Sequence, residues 1–418
     1  MTEIPRRQFI ATAAAGLASA GLATQLGTAA EPPSAIAPKI NRPPPPAGPH
    51  PFLTPAGDFE DVSRGTPNPG TLRGEALTRA RLTPETWRLE VTADDTRVDY
   101  VQEMTSIGRP LTLDLPTLRE LGEKHAVRYI KAMQCLNIPS PLGQGLWEGV
   151  PLRDVLRLVG KMNNVRRIFY WGFHNDDPKQ MFRSSLSYSQ VMETPPGELP
   201  VFLAYRLNGE PLPLKRGGPV RMVVPWAHGF KSVKWLQRIV LSNDYKANDT
   251  YAEKNNDPES HLKTAAYVND VAKRFAAGQP VTVTGRAIAG WSGLRRVEYW
   301  LRPIAGGTGE LADNDPAWET ASWTQCRLDE PPANWSGTLP AGVAPRDVLG
   351  FDRQTGQPLS WPLRYSMVGW SAAISGLAPG HYEIRARSVD LNGFAQPEPR
   401  PMLKTGRNPI QVRRFEVG

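Results

Sequence analysis

Leu203-Ala-Tyr-Arg-Leu-Asn-Gly-Glu-Pro-Leu-Pro213 is the stretch from which the rest of the chain can be read. Its apolar residues run into Asn208-Gly209, the dipeptide best suited to positive φ at both central positions of a two-residue turn. The stretch therefore reads as a strand, a tight turn and a second short strand. Downstream, Arg216-Gly-Gly-Pro-Val-Arg-Met-Val-Val-Pro225 leads into Ala227-His-Gly-Phe-Lys-Ser-Val-Lys-Trp-Leu236. Arg216, Arg221, Lys231 and Lys234 stand here between short apolar strands, with glycines beside them. Backbone N–H groups in such loops, with Lys and Arg alongside, form cradles for anions. A solvated charged face is the plainer alternative, but the apolar flanks favour the cradle.

A second stretch, Tyr129-Ile-Lys-Ala-Met-Gln-Cys-Leu-Asn137, carries Cys135, one of two cysteines. A short helical piece at Thr117–Lys124 precedes it, and Lys124–Met133 reads as a strand running toward the thiol. Pro139-Ser-Pro-Leu-Gly-Gln-Gly145 is rich in turn formers, and Leu146–Leu156 resumes an apolar pattern with a helical start. A thiol between a strand end and an irregular loop can face a cleft. It can equally be a small buried hydrophobe.

The chain has 418 residues, enough for two or three domains with cores of their own. Its 42 prolines and 37 glycines favour strands and loops over long helices. Pro5-Arg-Arg-Gln-Phe-Ile10, a weakly apolar run to Ala23 and Thr28-Ala-Ala30 read as a twin-arginine signal peptide over residues 1–30. That route carries proteins already folded, often around a cofactor, to the periplasm. The net charge is +8, or +7 without Glu3, Arg6 and Arg7. The basic residues are dispersed and form no nucleic-acid motif, so the balance points to an anionic cofactor and a small anionic substrate. No stretch after residue 30 is apolar enough to span a membrane. The six histidines (50, 125, 174, 228, 261 and 381) have no metal spacing, and no C-x-x-C or C-x-x-C-H motif occurs.

In chain order, residues 31–57 form a proline-rich linker. Thr86–Val91 and Val165–Gly172 read as strands, the second ending at His174-Asn-Asp-Asp-Pro178. Asp249–Thr264 is loop-like. From Gln279 short strands alternate with turns, at Val281–Ile288, Leu294–Leu301, Arg364–Trp370 and His381–Asp390. That spacing predicts a β-sandwich, and Cys135 and Cys326 fall in different domains and are expected not to pair.

Ala204-Tyr-Arg-Leu-Asn-Gly-Glu-Pro-Leu-Pro213, Gly218-Pro-Val-Arg-Met-Val-Val-Pro225 and Ser232-Val-Lys-Trp-Leu236 occur in the order of three blocks of the sulfite oxidase family of molybdenum enzymes, and the chain resembles that family over roughly residues 60–415. The resemblance implies an α+β fold: a molybdopterin-binding catalytic domain over 58–265, then an immunoglobulin-like β-sandwich over 266–418 that forms a homodimer. It implies a molybdenum-pyranopterin (molybdopterin) cofactor with Cys135 as its thiolate ligand, although only Cys135 and Asn137 survive of the family's CxGN-like motif. It places Arg73 and Tyr251 against the substrate, and Asn137, Asp177, Arg216, Arg221, Lys231, Ser232 and Lys234 around the cofactor.

The function this implies is oxygen-atom transfer, sulfite to sulfate, with electrons passed to a separate c-type cytochrome. Ile138-Pro-Ser-Pro141 lacks the arginines that sulfite-oxidising members place after the cysteine, so a sulfoxide or other oxyanion reductase is a second reading. A non-catalytic exported binding protein is a third. Changing Arg6 and Arg7 to Lys is expected to trap an uncleaved precursor in the cytoplasm. Immunoblots of cell fractions check this, and normal secretion of the variant would make the arginine pair incidental.

Overall fold

The computed structural model describes residues 51–418, apart from 64, 96–102, 137, 139, 175–176, 251–256, 305–310, 312–314 and 398–407. Arg6, Arg7, Asn137 and Tyr251 thus lie outside the described residues. The described residues form one compact, strand-rich unit with few helices.

Two sheets build the first half. One runs Leu111–Asp114, Arg88–Ala93, Leu236–Ser242, Arg167–Gly172, Arg183–Ser187, antiparallel except where Arg88–Ala93 lies beside Leu236–Ser242. The other runs Glu210–Pro211, Phe202–Leu207, Gly143–Pro151, Val127–Met133, with Arg221–Val223 also pairing Phe202–Leu207. Leu89, Ile168, Tyr170 and Leu236 from the first sheet, with Trp87 just before its strand Arg88–Ala93, share one core with Val150, Leu203 and Met222 from the second. The Trp87 indole N–H, fully buried, donates to the Leu236 carbonyl at 2.7 Å, which satisfies its one polar atom.

Local sequence sets these elements. Leu115–His125 is a helix capped by Asp114, whose carboxylate accepts the Thr117 N–H at 2.9 Å. Pro116 occupies its first turn, and Lys124 and His125 oppose the negative end of the dipole. This helix is longer than the expected Thr117–Lys124, and the following strand starts at Val127 rather than Lys124. Asn208 and Gly209 take φ of 53° and 83°, as their turn requires. The apolar run from Leu146 divides differently from its expectation. Gly143–Pro151 is a strand, and only Leu152–Arg157 is helical.

In the second half, a four-stranded sheet (Ala265–Val268, Val281–Ile288, Met367–Ile374, Arg327–Leu328) and a five-stranded sheet (Arg274–Phe275, Gln411–Val417, Gly380–Val389, Arg296–Pro303, Thr324–Gln325) close over a second core. Cys326 sits in it, its thiol pushed up to about 12 by burial and then by Glu298, and neither cysteine is in a disulfide. The halves are continuous. Ala132 N–H donates to the Tyr365 carbonyl at 2.8 Å, and Ile130 and Leu146 share an apolar cluster with Trp335 and Leu363. Phe52 and Thr54, in the stretch read as linker, join this junction. Phe52 meets Trp335 edge-on at 5.2 Å, and Thr54 N–H donates to Gln144 O at 2.7 Å.

One buried ion pair locks the loops nearest the cradle. Lys231 Nζ donates to Asp249 Oδ2 at 3.1 Å and to Ser185 O at 2.8 Å, and both charged side chains are essentially inaccessible. Removing one member leaves the other charged and buried. Asp249→Asn is expected to lower unfolding stability by about 3–5 kcal/mol, whereas Lys231→Met combined with Asp249→Leu recovers most of it. Urea unfolding measures both. A loss under about 1 kcal/mol for Asp249→Asn would mean that solvent screens the pair.

Candidate cofactor and active site

Cys135 is half-buried, two residues beyond the strand Val127–Met133. Gln134 fixes its loop. Nε2 donates to the carbonyl oxygens of Cys135 and Ile138 at 3.0 and 2.7 Å, and the Gln134 carbonyl accepts the Gly229 N–H at 2.7 Å. The thiol loop is thereby tied to the turn Gly229–Lys231. Cys135 also packs on the apolar cluster of Phe59, Met133, Leu142 and Trp147.

The same cluster carries guanidinium groups. Arg216 lies 5.9 Å from the Phe59 ring centroid, and Arg221 lies 5.1 Å from that of Trp147. Arg221 donates from Nη1 to Arg216 O at 2.8 Å and from Nη2 to Ser232 O, joining the turn at 216 to the loop at 232. Ser232 Oγ accepts the Val224 N–H at 3.1 Å. Lys234 Nζ donates to Asp61 Oδ1 at 3.0 Å, Ser63 Oγ at 2.8 Å and Lys215 O at 3.1 Å. Gly217 lets this happen, because a Cβ there would stand 2.8 Å from the Lys234 Cβ, and its φ is +101°. Arg216 Nη1 donates to Glu60 O at 3.0 Å, while its Nη2 is buried with no hydrogen-bond partner. Lys131 stands fully buried beside Arg221, its Nζ on the carbonyls of Ala132 and Ala227 at 3.1 and 3.3 Å.

Electrostatics follow from burial. Lys131 is lowered to about 7 by desolvation and then by Arg221. Lys234 falls to about 8 by desolvation and Arg221, against the pull of Asp61. Arg221 falls to about 9, by desolvation and then Arg216. Asp61 is held below its ordinary range, where Lys234 and its hydrogen bonds outweigh the opposing desolvation. Thus the four cations Lys131, Arg216, Arg221 and Lys234 are set against one carboxylate, Asp61, which acts on Arg216 and Lys234, and among them only Lys234 forms an ion pair within the described residues. Buried charge in that excess is stable only against a further anion, and the unmade bond of Arg216 Nη2 marks a place for one. The residues therefore fit an anionic cofactor that offers phosphate and thiolate groups.

The structure draws together Cys135, Arg216, Arg221, Ser232 and Lys234 through shared loops. Lys231 faces Asp249 instead, as a neutral pair behind the cradle. Asp177 serves its own turn, accepting the Lys179 N–H at 2.9 Å and Gln180 Nε2 at 2.8 Å. Gln180 in turn donates to Thr66 O at 2.9 Å. Arg73, expected against the substrate, is an exposed residue before the helix Gly74–Arg79. Its Nη1 donates to Gly70 O at 3.1 Å and to Leu72 O at 2.6 Å, so the structure does not bring it into the cradle. Asn137 and Tyr251 lie outside the described residues.

Sequence reasoning missed Phe59, Glu60, Asp61 and Ser63, which line the cradle from a distant stretch with no periodic signal. It also missed Lys131. Its signal was present, because a lysine interrupts the apolar run Tyr129–Met133.

Residues 76–250 match the family model described as "Oxidoreductase molybdopterin binding domain". Sulfite oxidase of Gallus gallus is 28% identical over 265 residues, covering 52% of this chain and 55% of that protein. The NAD(P)H nitrate reductase of Betula pendula is 34% identical over 136 residues, 31% of this chain and 14% of that one. The chain thus spans about half the length of the chicken relative, and less of others such as the Drosophila melanogaster sulfite oxidase, of which 29% is covered. The solved sulfane dehydrogenase SoxCD of Paracoccus pantotrophus shares the fold at TM-score 0.53 and 17% identity, over 92% of this chain and 97% of that one. With a matching domain model and a cysteine-and-cation cradle inside it, residues 76–250 form a molybdopterin-binding oxidoreductase domain similar to those of sulfite oxidases and nitrate reductases.

Proposed function

We propose that the protein transfers an oxygen atom to a small sulfur oxyanion, sulfite to sulfate, and passes the electrons to a separate c-type cytochrome. The single observation that carries this is the half-buried thiol of Cys135 beside buried cations that outnumber their carboxylates. A molybdenum pyranopterin, when bound, supplies two-electron oxygen-atom exchange. The Cys135 thiolate would hold its metal, since a soft sulfur donor suits such a centre. Arg216, Arg221, Ser232 and Lys234 would hold the cofactor's anionic groups. The positive field of a chain with net charge +8 draws a small anion toward the site.

In this reading the electron acceptor is a separate c-type cytochrome, in keeping with a sequence that holds no C-x-x-C-H haem site. Export to the periplasm by the twin-arginine route belongs to this reading. So do an immunoglobulin-like identity for the second half and its use in a homodimer, the commonest closed assembly. Among the described residues no helix is long and apolar enough to cross a membrane.

One observation favours a second substrate class. Arg73 stands outside the cradle and residues 138–141 carry no cation, so a neutral organic sulfoxide, reduced at the same centre, meets less charge than sulfite requires. Steady-state assays with sulfite and with methionine sulfoxide distinguish the two.

Cys135→Ser is expected to lower turnover of the better substrate at least about a hundredfold, the upper end for losing a mere supporting contact, with circular dichroism unchanged. Undiminished turnover would remove Cys135 from the site. Because Arg73 is exposed, Arg73→Gln is expected to change the KM for sulfite less than about threefold, under the tenfold of a lost charge-assisted contact. A tenfold rise would show that Arg73 closes onto substrate.

A further inference from the structure

Lys131 is the one buried cation near the thiol loop that neither the family reading nor the local hydrogen bonding explains. Its side chain is completely inaccessible. An ammonium has three donors, and two of them are directed at the carbonyls of Ala132 and Ala227. Carbonyl oxygens soften the burial of a charge but do not neutralise it. No carboxylate pairs with Lys131 among the described residues, and the nearest charged neighbour that acts on it is another cation, Arg221.

A lysine that served only to fill space would be better replaced by methionine, which has nearly the same shape without the desolvation penalty. The position is also tied directly to the cradle. Trp147, whose indole N–H donates to Lys131 O at 3.2 Å, is the ring under Arg221. Ala227, whose carbonyl holds Nζ, opens the loop that carries Ser232 and Lys234.

Resting on the molybdopterin reading of this cradle, we propose that Lys131 is a cofactor-retaining residue: its ammonium is the internal counter-charge to the anionic pyranopterin, and it is stable in the fold only when that anion is bound. In the empty protein, burial and Arg221 press Lys131 toward its neutral form. Loading an anion restores the charge, so loading takes up a proton at pH values above about 7. The charged group that acts on Lys131 is Arg221, and Arg221 in turn faces Arg216 and Lys234, which share Asp61.

The test compares Lys131→Met with wild type, each purified from cells that make the cofactor and each also prepared empty. Pterin is read as its fluorescent oxidised derivative per chain, and stability as the melting midpoint of the empty protein. The expected result is a crossed pair. Empty Lys131→Met melts at or above the wild-type midpoint, while its pterin content falls about tenfold, the ratio for about 1.4 kcal/mol of lost counter-charge. Lys131→Arg, which keeps a charge, restores part of the content. Pterin content equal to wild type in Lys131→Met overturns the inference. So does a lower midpoint of the empty variant together with lost pterin, because the lysine is then structural. Absence of pterin from wild type itself would instead overturn the molybdopterin reading on which the inference rests.

Discussion

The constraint on which this structure depends is an excess of buried positive charge. Arg216, Arg221, Lys234 and Lys131 converge behind the Cys135 loop, and Asp61 is the only carboxylate set against them within the described residues. Water normally stabilises such groups, and taking them out of it is among the most expensive steps in folding. Phe59 and Trp147 offset part of this by presenting ring faces to the two guanidinium groups, and backbone carbonyls offset more. The remaining deficit is a binding site, because an anion that enters recovers what folding gave up.

The rest of the fold holds that arrangement still. The turn Gly229–Lys231 is bonded on one side to Gln134 and on the other, through Lys231, to Asp249 and Ser185. It therefore links the thiol loop to the far edge of the first sheet. The second half contributes rigidity from behind. Tyr365 accepts the Ala132 N–H, and Ile288, Leu262 and Met367 pack against Ala132. Residues on the strand Val127–Met133 thus alternate between the cradle and the junction, as a pleated strand demands.

Much of this was legible in the residues. Asn208-Gly209 announced its turn because few other pairs tolerate positive φ twice. The strand Val281–Ile288 is observed over the range its alternation predicts. Arg216, Arg221, Ser232 and Lys234 were singled out because their loops are short and charged between apolar strands, and those loops are bonded to one another in the fold. Other features were not legible, for physical reasons. Phe59–Ser63 reaches the cradle through tertiary contact across more than 150 residues, as the Asp61–Lys234 pair shows, and nothing local marks it. The resemblance puts Asp177 around the cofactor, but here its carboxylate closes its own loop. The resemblance puts Arg73 against the substrate, but the carbonyls of Gly70 and Leu72 in its own turn bond it in place. Charge spacing alone does not tell a side chain that turns inward from one that caps its own backbone.

The most direct measurement is the molybdenum and pterin content of the purified protein, by mass spectrometry of the metal and fluorescence of the oxidised pterin, before and after the cradle is discharged by Arg216→Gln combined with Arg221→Gln. The account predicts about one metal and one pterin per chain in the wild type and a loss of both in the variant, with the fold retained. A wild type free of both after expression in a cofactor-producing host, or a variant that keeps full content, would contradict it.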